Sequence, residues 1–225
     1  LQTLMGYTAV KSGLALSPGG IVTLVLAPVV GGILVPRVDA RWLFLCGLVV
    51  VGMALLQMGG FNLDVDYRTA VLARMFQSFA LPFLFIPSNT VAMAYVPREK
   101  SNSGTALINL SRNLGGSVGI AVVTTLLARR AQVHQALLVN HLTPYDWQYQ
   151  AALHGASQML MARGAGAVQA LSQAQGLLYG MLVRQSAMLA FVDNFRILGM
   201  ASLAVIPLVF FIKKVQPGQR AGVGH

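Results

Sequence analysis

The sequence predicts an all-α integral membrane protein, and two observations carry this prediction. Hydrophobic residues make up 56% of the 225 residues and charged residues only 10%, whereas about 25% of residues are charged in soluble domains. The apolar residues also form blocks long enough to cross a bilayer, which takes about 20 helical residues. The net charge of +10 does not indicate nucleic-acid binding, because the cations are scattered between the apolar blocks and form no basic run interleaved with aromatic residues.

The apolar blocks predict about five transmembrane helices. Proline and glycine inside a block, such as Pro18 and Pro28 in the first, are tolerated in membrane helices. Four blocks follow one another between residues 16 and 128, and the fifth comes after a long polar interval. The predicted spans are residues 16–35, 42–60, 69–96, 101–128 and 186–212.

Three segments lie outside the predicted spans. Residues 1–15 are expected to form the end of a preceding helix and an outer loop, and residues 213–225 a polar tail. Residues 129–185 hold Arg, His, Gln and Pro at a density that a lipid-facing helix does not accept, so they predict one long loop with structure of its own. Within this loop, the composition of residues 156–184 favours a helix that lies over the membrane protein.

The distribution of cations predicts the orientation. One set of loops is dense in Lys and Arg, and cytoplasmic loops carry such an excess. The long loop 129–185 then faces outward, and the C-terminus of this multi-pass protein of the cell (inner) membrane faces the cytoplasm. The cations of the predicted cytoplasmic side are Arg37, Arg41, Arg98, Lys100, Lys213, Lys214 and Arg220.

Polar residues share one face on each of three predicted spans, 69–96, 101–128 and 186–212. At about 100° per residue, Asn109, Arg112 and Asn113 fall on one face of the span 101–128. Because a charge at the centre of a membrane helix costs about 2.5 to 3.5 kcal/mol, such faces indicate a shared aqueous cavity rather than a purely structural bundle. The candidate cavity residues of the span 69–96 are Arg74, Gln77, Ser78, Ser88 and Asn89.

The last predicted span carries an acid and a base on one face. Asp193 and Arg196 lie one turn apart, and Arg112 of the preceding span could reach them, so these three residues are candidates for a buried ion pair. Two roles remain open for Asp193. It could carry a proton, which needs burial to favour its neutral form, or it could stay ionised as a structural partner of the arginines.

Catalysis has little support in the sequence. His134, His141 and His154 fall in the predicted outer loop without metal-ligand spacing such as HExxH, and no Ser/His/Asp arrangement is evident. We therefore expect neither an enzyme nor a bound metal or cofactor. Pro82 and Pro87 bend a predicted span instead, which is typical of proteins that move between two states.

Four stretches carry a family resemblance: MGYTAVKSGLALSPGG, ARMFQSFALPFLFIPSNTVAMAYVPREK, SGTALINLSRNLGGSVGIAV and QSAMLAFVDNFRILG. Together they resemble the C-terminal portion of a fourteen-helix drug/proton antiporter of the EmrB/QacA type, in the major facilitator superfamily. The third stretch is the most specific. The resemblance implies a major facilitator C-terminal half in which residues 69–96 line the central cavity, residues 101–128 lie beside it and residues 186–212 are peripheral. It also places the principal proton-coupling acids of such antiporters in the N-terminal half.

These observations predict a fragment of a secondary active transporter that couples proton entry to the efflux of hydrophobic drugs or other amphipathic compounds. Two alternatives remain open: an exporter of a physiological metabolite, and a membrane-embedded scaffold subunit of an envelope complex. The expected partners are small hydrophobic or amphipathic substrates, protons and the lipid bilayer. A membrane-fusion or adaptor protein joins them if the source has an outer membrane, and nucleic acid is not expected.

Overall fold

Every regular element is a helix in the computed structural model, which describes residues 8–63, 65–94, 96–140 and 142–211. Five helical segments in these ranges are long and apolar enough to cross a membrane. The predicted all-α membrane fold is therefore confirmed. The five segments are Ala9–Leu34, Ala40–Met58, Tyr67–Met93, Ser101–Val139 and Ala167–Val209.

We number the helices in chain order. A π-helical segment, Val30–Leu34, continues α1, and a 3-10 turn, Arg98–Lys100, precedes α4. The helices are α1 (Ala9–Val29), α2 (Ala40–Met58), α3 (Tyr67–Met93), α4 (Ser101–Val139), α5 (Trp147–Ala162), α6 (Ala167–Ala204) and α7 (Ile206–Val209).

Helix α1 starts earlier than the first predicted span. The Thr8 hydroxyl accepts a hydrogen bond from the Lys11 N–H at 3.3 Å and so caps the helix. Residues 9–15, which we expected to end a preceding helix and form a loop, are instead the first turns of α1; residues 1–7 lie outside the described residues. At its other end α1 contains Pro28, and the backbone passes into a π-helical turn in which Val35 N–H bonds to the Val30 carbonyl at 2.9 Å.

The chain divides into two compact units, which are described separately. Unit 1 comprises residues 1–122 and 194–225, and unit 2 comprises residues 123–193. In unit 1, α1 and α2 both pack on α3, and Val30, Leu43 and Phe83 form an apolar core where the three helices meet. The end of α6 packs closely on α2, since a Cβ added to Gly199 would lie 2.9 Å from Leu56 Cγ.

Unit 2 is helical through most of the predicted long loop. Its α5 starts after Asp146, whose carboxylate accepts the N–H of Gln148 at 2.9 Å. It ends before Gly164, which has a φ of 95° that favours glycine. The predicted helix over 156–184 is therefore split in two at this glycine, and the second part is the beginning of α6.

Helices α4 and α6 extend well beyond the predicted spans. With 39 and 38 residues, each is close to 60 Å long at about 1.5 Å per residue, against about 30 Å of hydrocarbon in a bilayer. Where the membrane begins and ends along α4 and α6 therefore stays a prediction. The same holds for the loop between the spans 101–128 and 186–212. The predicted tail 213–225 lies outside the described residues.

Candidate substrate-facing site

Arg112 of α4 is held by two residues of α3. A terminal nitrogen of its guanidinium donates a hydrogen bond to Asn89 Oδ1 at 2.7 Å. The central carbon of the same group lies 5.5 Å from the centroid of the Phe85 ring, within the range of a cation–π contact. Phe85 and Asn89 are one turn apart, so they present one surface of α3 to the arginine.

The Arg112 guanidinium remains able to bind a ligand. An arginine has five N–H donors, and in the described part of the chain the Asn89 bond is the one that this side chain makes. The residue is exposed in the structure, as are its predicted stripe neighbours Asn109 and Asn113. An exposed cation on a membrane-spanning helix requires water, a protein partner or an anionic ligand, because lipid does not solvate it.

The predicted stripe on α3 does not face a single space. Asn89 faces Arg112, whereas Arg74 donates a hydrogen bond to Gln77 on its own helix. Ser78 is only 4% exposed and packs against α1. Ser88 bonds to the Phe85 carbonyl at 3.0 Å, and it lines a small cavity that α3 shares with α2.

The division of this stripe has a geometric reason. The predicted cavity residues of α3 spread over more than a quarter of the helix circumference, and an arc of that width faces more than one neighbouring helix. Helical periodicity places residues on a face, but it does not say which neighbour covers each edge of that face. Of the α3 residues predicted to line a cavity, Asn89 is the one that contacts the stripe of α4.

Arg196 has a different partner from the predicted one. Its Nε donates to the Gly59 carbonyl at 2.9 Å, at the C-terminal end of α2. A cation there interacts favourably with the unpaired carbonyls of the helix terminus. Arg196 therefore stabilises the end of α2. In the structure Asp193 pairs with neither Arg196 nor Arg112, in contrast to the predicted ion pair.

Asp193 pairs with residues that we had expected in the outer loop. Its Oδ2 lies 2.8 Å from His134 Nε2 and 3.8 Å from a terminal nitrogen of Arg130, both on the extension of α4. These partners were missed because residues beyond 128 were not assigned to a helix. Their spacing of four residues, which puts them on one helix face, is the signal that could have found them.

Polar groups on membrane-length helices, as on α3 and α4, indicate that part of each helix faces protein or water rather than lipid. Residues 1–141 match the model of the Major Facilitator Superfamily, so the chain belongs to this family.

Relatives from several bacteria support this assignment. The chain is 28% identical to the multidrug export protein EmrB of Escherichia coli (strain K12) over 214 residues, which are 95% of this chain and 40% of EmrB. It is 27% identical to the fatty acid resistance protein FarB of Neisseria gonorrhoeae over 225 residues, 100% of this chain and 42% of FarB. It is 32% identical to the MFS-type transporter YhcA of Bacillus subtilis (strain 168) over 161 residues, 72% of this chain and 30% of YhcA.

The chain thus spans less than half the length of these curated relatives. The resemblance to EmrB-type drug transporters is confirmed by these relatives. No solved structure matches the chain.

Proposed function

We propose that this chain is part of a proton-coupled exporter of amphipathic compounds, and that α3 and α4 face the substrate. The observation that carries the proposal is the exposed Arg112 guanidinium, which Asn89 and Phe85 hold in place while most of its donors stay uncommitted. The names of two relatives, which refer to multidrug export and to fatty acid resistance, support the same class of activity.

The chemistry of this site favours a substrate with an apolar body and an anionic head. Guanidinium binds carboxylate, sulfonate or phosphate groups through charge-assisted hydrogen bonds, often two at once. The Phe85 ring offers apolar surface directly beside the guanidinium. A fatty acid, as in the name of the relative FarB, has this combination of an apolar chain and a carboxylate.

Alternating access needs helices that can bend, and prolines and a π-helical turn allow bending in α1 and α3. Pro28 precedes the π-helical turn of α1, and Pro82 and Pro87 interrupt the hydrogen-bond ladder of α3. Secondary transporters commonly bind their substrate on interrupted helices near the middle of the membrane. In our proposal, entry of protons drives the change that moves the bound substrate outward.

Transport by the full-length protein tests this function. Inside-out vesicles that contain it should take up N-dodecanoyltaurine, a permanent anion, faster than dodecyltrimethylammonium, a permanent cation with a similar tail. Nigericin, which collapses the pH gradient, should abolish the uptake. Vesicles without the protein are the control. Absence of uptake of both probes, or uptake that survives collapse of the whole proton-motive force, would contradict proton-coupled export.

The proposal includes the orientation that the cations predict. With Cys46 replaced by Ser, a Tyr145→Cys variant of the full-length protein should react with an impermeant maleimide in spheroplasts, because Tyr145 is 98% exposed and should lie outside. A Lys100→Cys variant, also exposed, should react only after the membrane is permeabilised. The reverse labelling pattern would show that the chain has the opposite topology. In a source with an outer membrane, an adaptor protein would meet the chain on this outer side.

A further inference from the structure

The contact between α4 and α6 in unit 2 contains a histidine–aspartate pair that the substrate site does not use. His134 Nε2 and Asp193 Oδ2 are 2.8 Å apart, and Arg130 approaches the same oxygen at 3.8 Å. The two paired side chains are 21% and 25% exposed, so they are mostly covered. Among the described residues, no other charged group pairs with His134 or Asp193.

We propose that His134 and Asp193, together with Arg130, form a proton-binding site on the outer side of the membrane. The inference rests on the proposed proton-coupled export, because it assigns a place where the incoming proton first binds. Histidine is suited to this role, since it is the side chain that ordinarily changes charge between pH 5 and 8.

The binding step requires one proton and no other reactant. In the neutral state His134 donates its Nε2–H to Asp193, and Nδ1 has a free lone pair, since no described residue bonds to it. A proton from the outer water binds Nδ1 and forms an imidazolium, so the charge of the three side chains rises from zero to +1. Asp193 then faces two cations, and its attraction for His134 increases relative to Arg130.

Helix α4 provides a physical connection between this site and the substrate site. It runs without interruption from Ser101 to Val139 and carries both Arg112 and His134. Protonation strengthens the bond between α4 and α6 at His134, within unit 2. Protonation also changes the competition between Arg130 and His134 for one carboxylate oxygen.

The pH dependence of transport by the full-length protein in proteoliposomes tests the role in coupling. Export rates are measured while the outer pH is varied at constant inner pH. The His134→Gln variant keeps a hydrogen-bond donor but cannot bind a proton near neutral pH, and it should lose most of the response to outer pH. The matched control is His154→Gln, an exposed histidine of α5 in the same unit, which should respond like the wild type. An unchanged response in His134→Gln would overturn the proposal.

A measurement without transport separates this inference from the proposed function. In nanodiscs, the ¹⁵N-histidine NMR signal that is missing in His134→Gln should report protonation as the medium is acidified. In Asp193→Asn the same signal should change, because Nε2 no longer has a carboxylate as its hydrogen-bond partner. If the protein transports neither probe but His134 still shows this behaviour, the exporter function fails and the proton site stands. A His134 signal that ignores pH, or ignores Asp193→Asn, would refute the site itself.

Discussion

Replacing Arg112 by Gln should lower export of N-dodecanoyltaurine by roughly tenfold to a hundredfold and leave dodecyltrimethylammonium export unchanged or faster. The estimate follows from the hydrogen bonds to a charged group that the anionic head would lose, at about 1.5 to 3 kcal/mol, where 1.4 kcal/mol is a factor of ten. Initial rates in inside-out vesicles, normalised to the amount of transporter, measure the effect. The ratio of the anion export rate to the cation export rate is the decisive quantity.

Two further variants separate charge from geometry at this position. Arg112→Lys keeps the cation but loses the planar fork that binds an anion through two bonds, so we expect an intermediate rate for the anion. Asn89→Ala removes the hydrogen bond that orients the guanidinium and should weaken anion binding less than loss of the charge does. An equal loss of both probes in Arg112→Gln would mean that the residue supports folding or gating rather than substrate selection.

Protein level is the control for a structural role of Arg112. The side chain is exposed, and surface substitutions away from buried networks usually change stability by less than about 0.5 kcal/mol. Arg112→Gln should therefore give the wild-type amount of monodisperse protein in fluorescence-detected size-exclusion chromatography. A large drop in that amount would show that the contact of α4 with Phe85 and Asn89 is needed for assembly, which contradicts the binding role.

The fold was predictable from sequence because apolar blocks of bilayer length have few alternatives to helix. The ends of α4 and α6 were not predictable from hydropathy, which marks the apolar part of a helix but not where the helix stops. Residues 129–139, RRAQVHQALLV, lack proline and glycine, so the backbone has no reason to leave the helix at 128. The composition that looked like a loop is that of a helix with a polar surface.

The candidate site was predictable only in part, for a related reason. Periodicity grouped the polar residues of α4 on one face, but Phe85, which lies under the Arg112 guanidinium, is apolar and belonged to no polar pattern. Ser78 was grouped with the cavity residues although it packs against Gly19 of α1. Both outcomes depend on which helices are neighbours, and the pattern within one helix does not contain that information.

The close approach of α1 and α3 leads to the second large expected effect. A Cβ on Gly19 would clash with Ser78 Oγ and would lie 3.2 Å from Ser78 Cβ. The Thr23 hydroxyl, one turn further along α1, donates to the Ser78 carbonyl at 3.2 Å. The two helices therefore pack through a small residue, as membrane helices often do.

Gly19→Val should separate α1 from α3 and destabilise the fold, because a rotation of the Ser78 hydroxyl does not make room for a branched side chain. Overpacking of this kind costs about 1 to 3 kcal/mol, so the full-length protein should give less monodisperse protein and a lower melting temperature in detergent. The matched control is the neighbouring Gly20→Val, where an added Cβ meets nothing within 4 Å. It makes the same change in helix propensity without the contact and should behave like the wild type. A second change, Ser78→Gly, should restore part of the loss in Gly19→Val. Equal behaviour of the Gly19 and Gly20 variants would mean that α1 and α3 do not pack through this contact in the membrane.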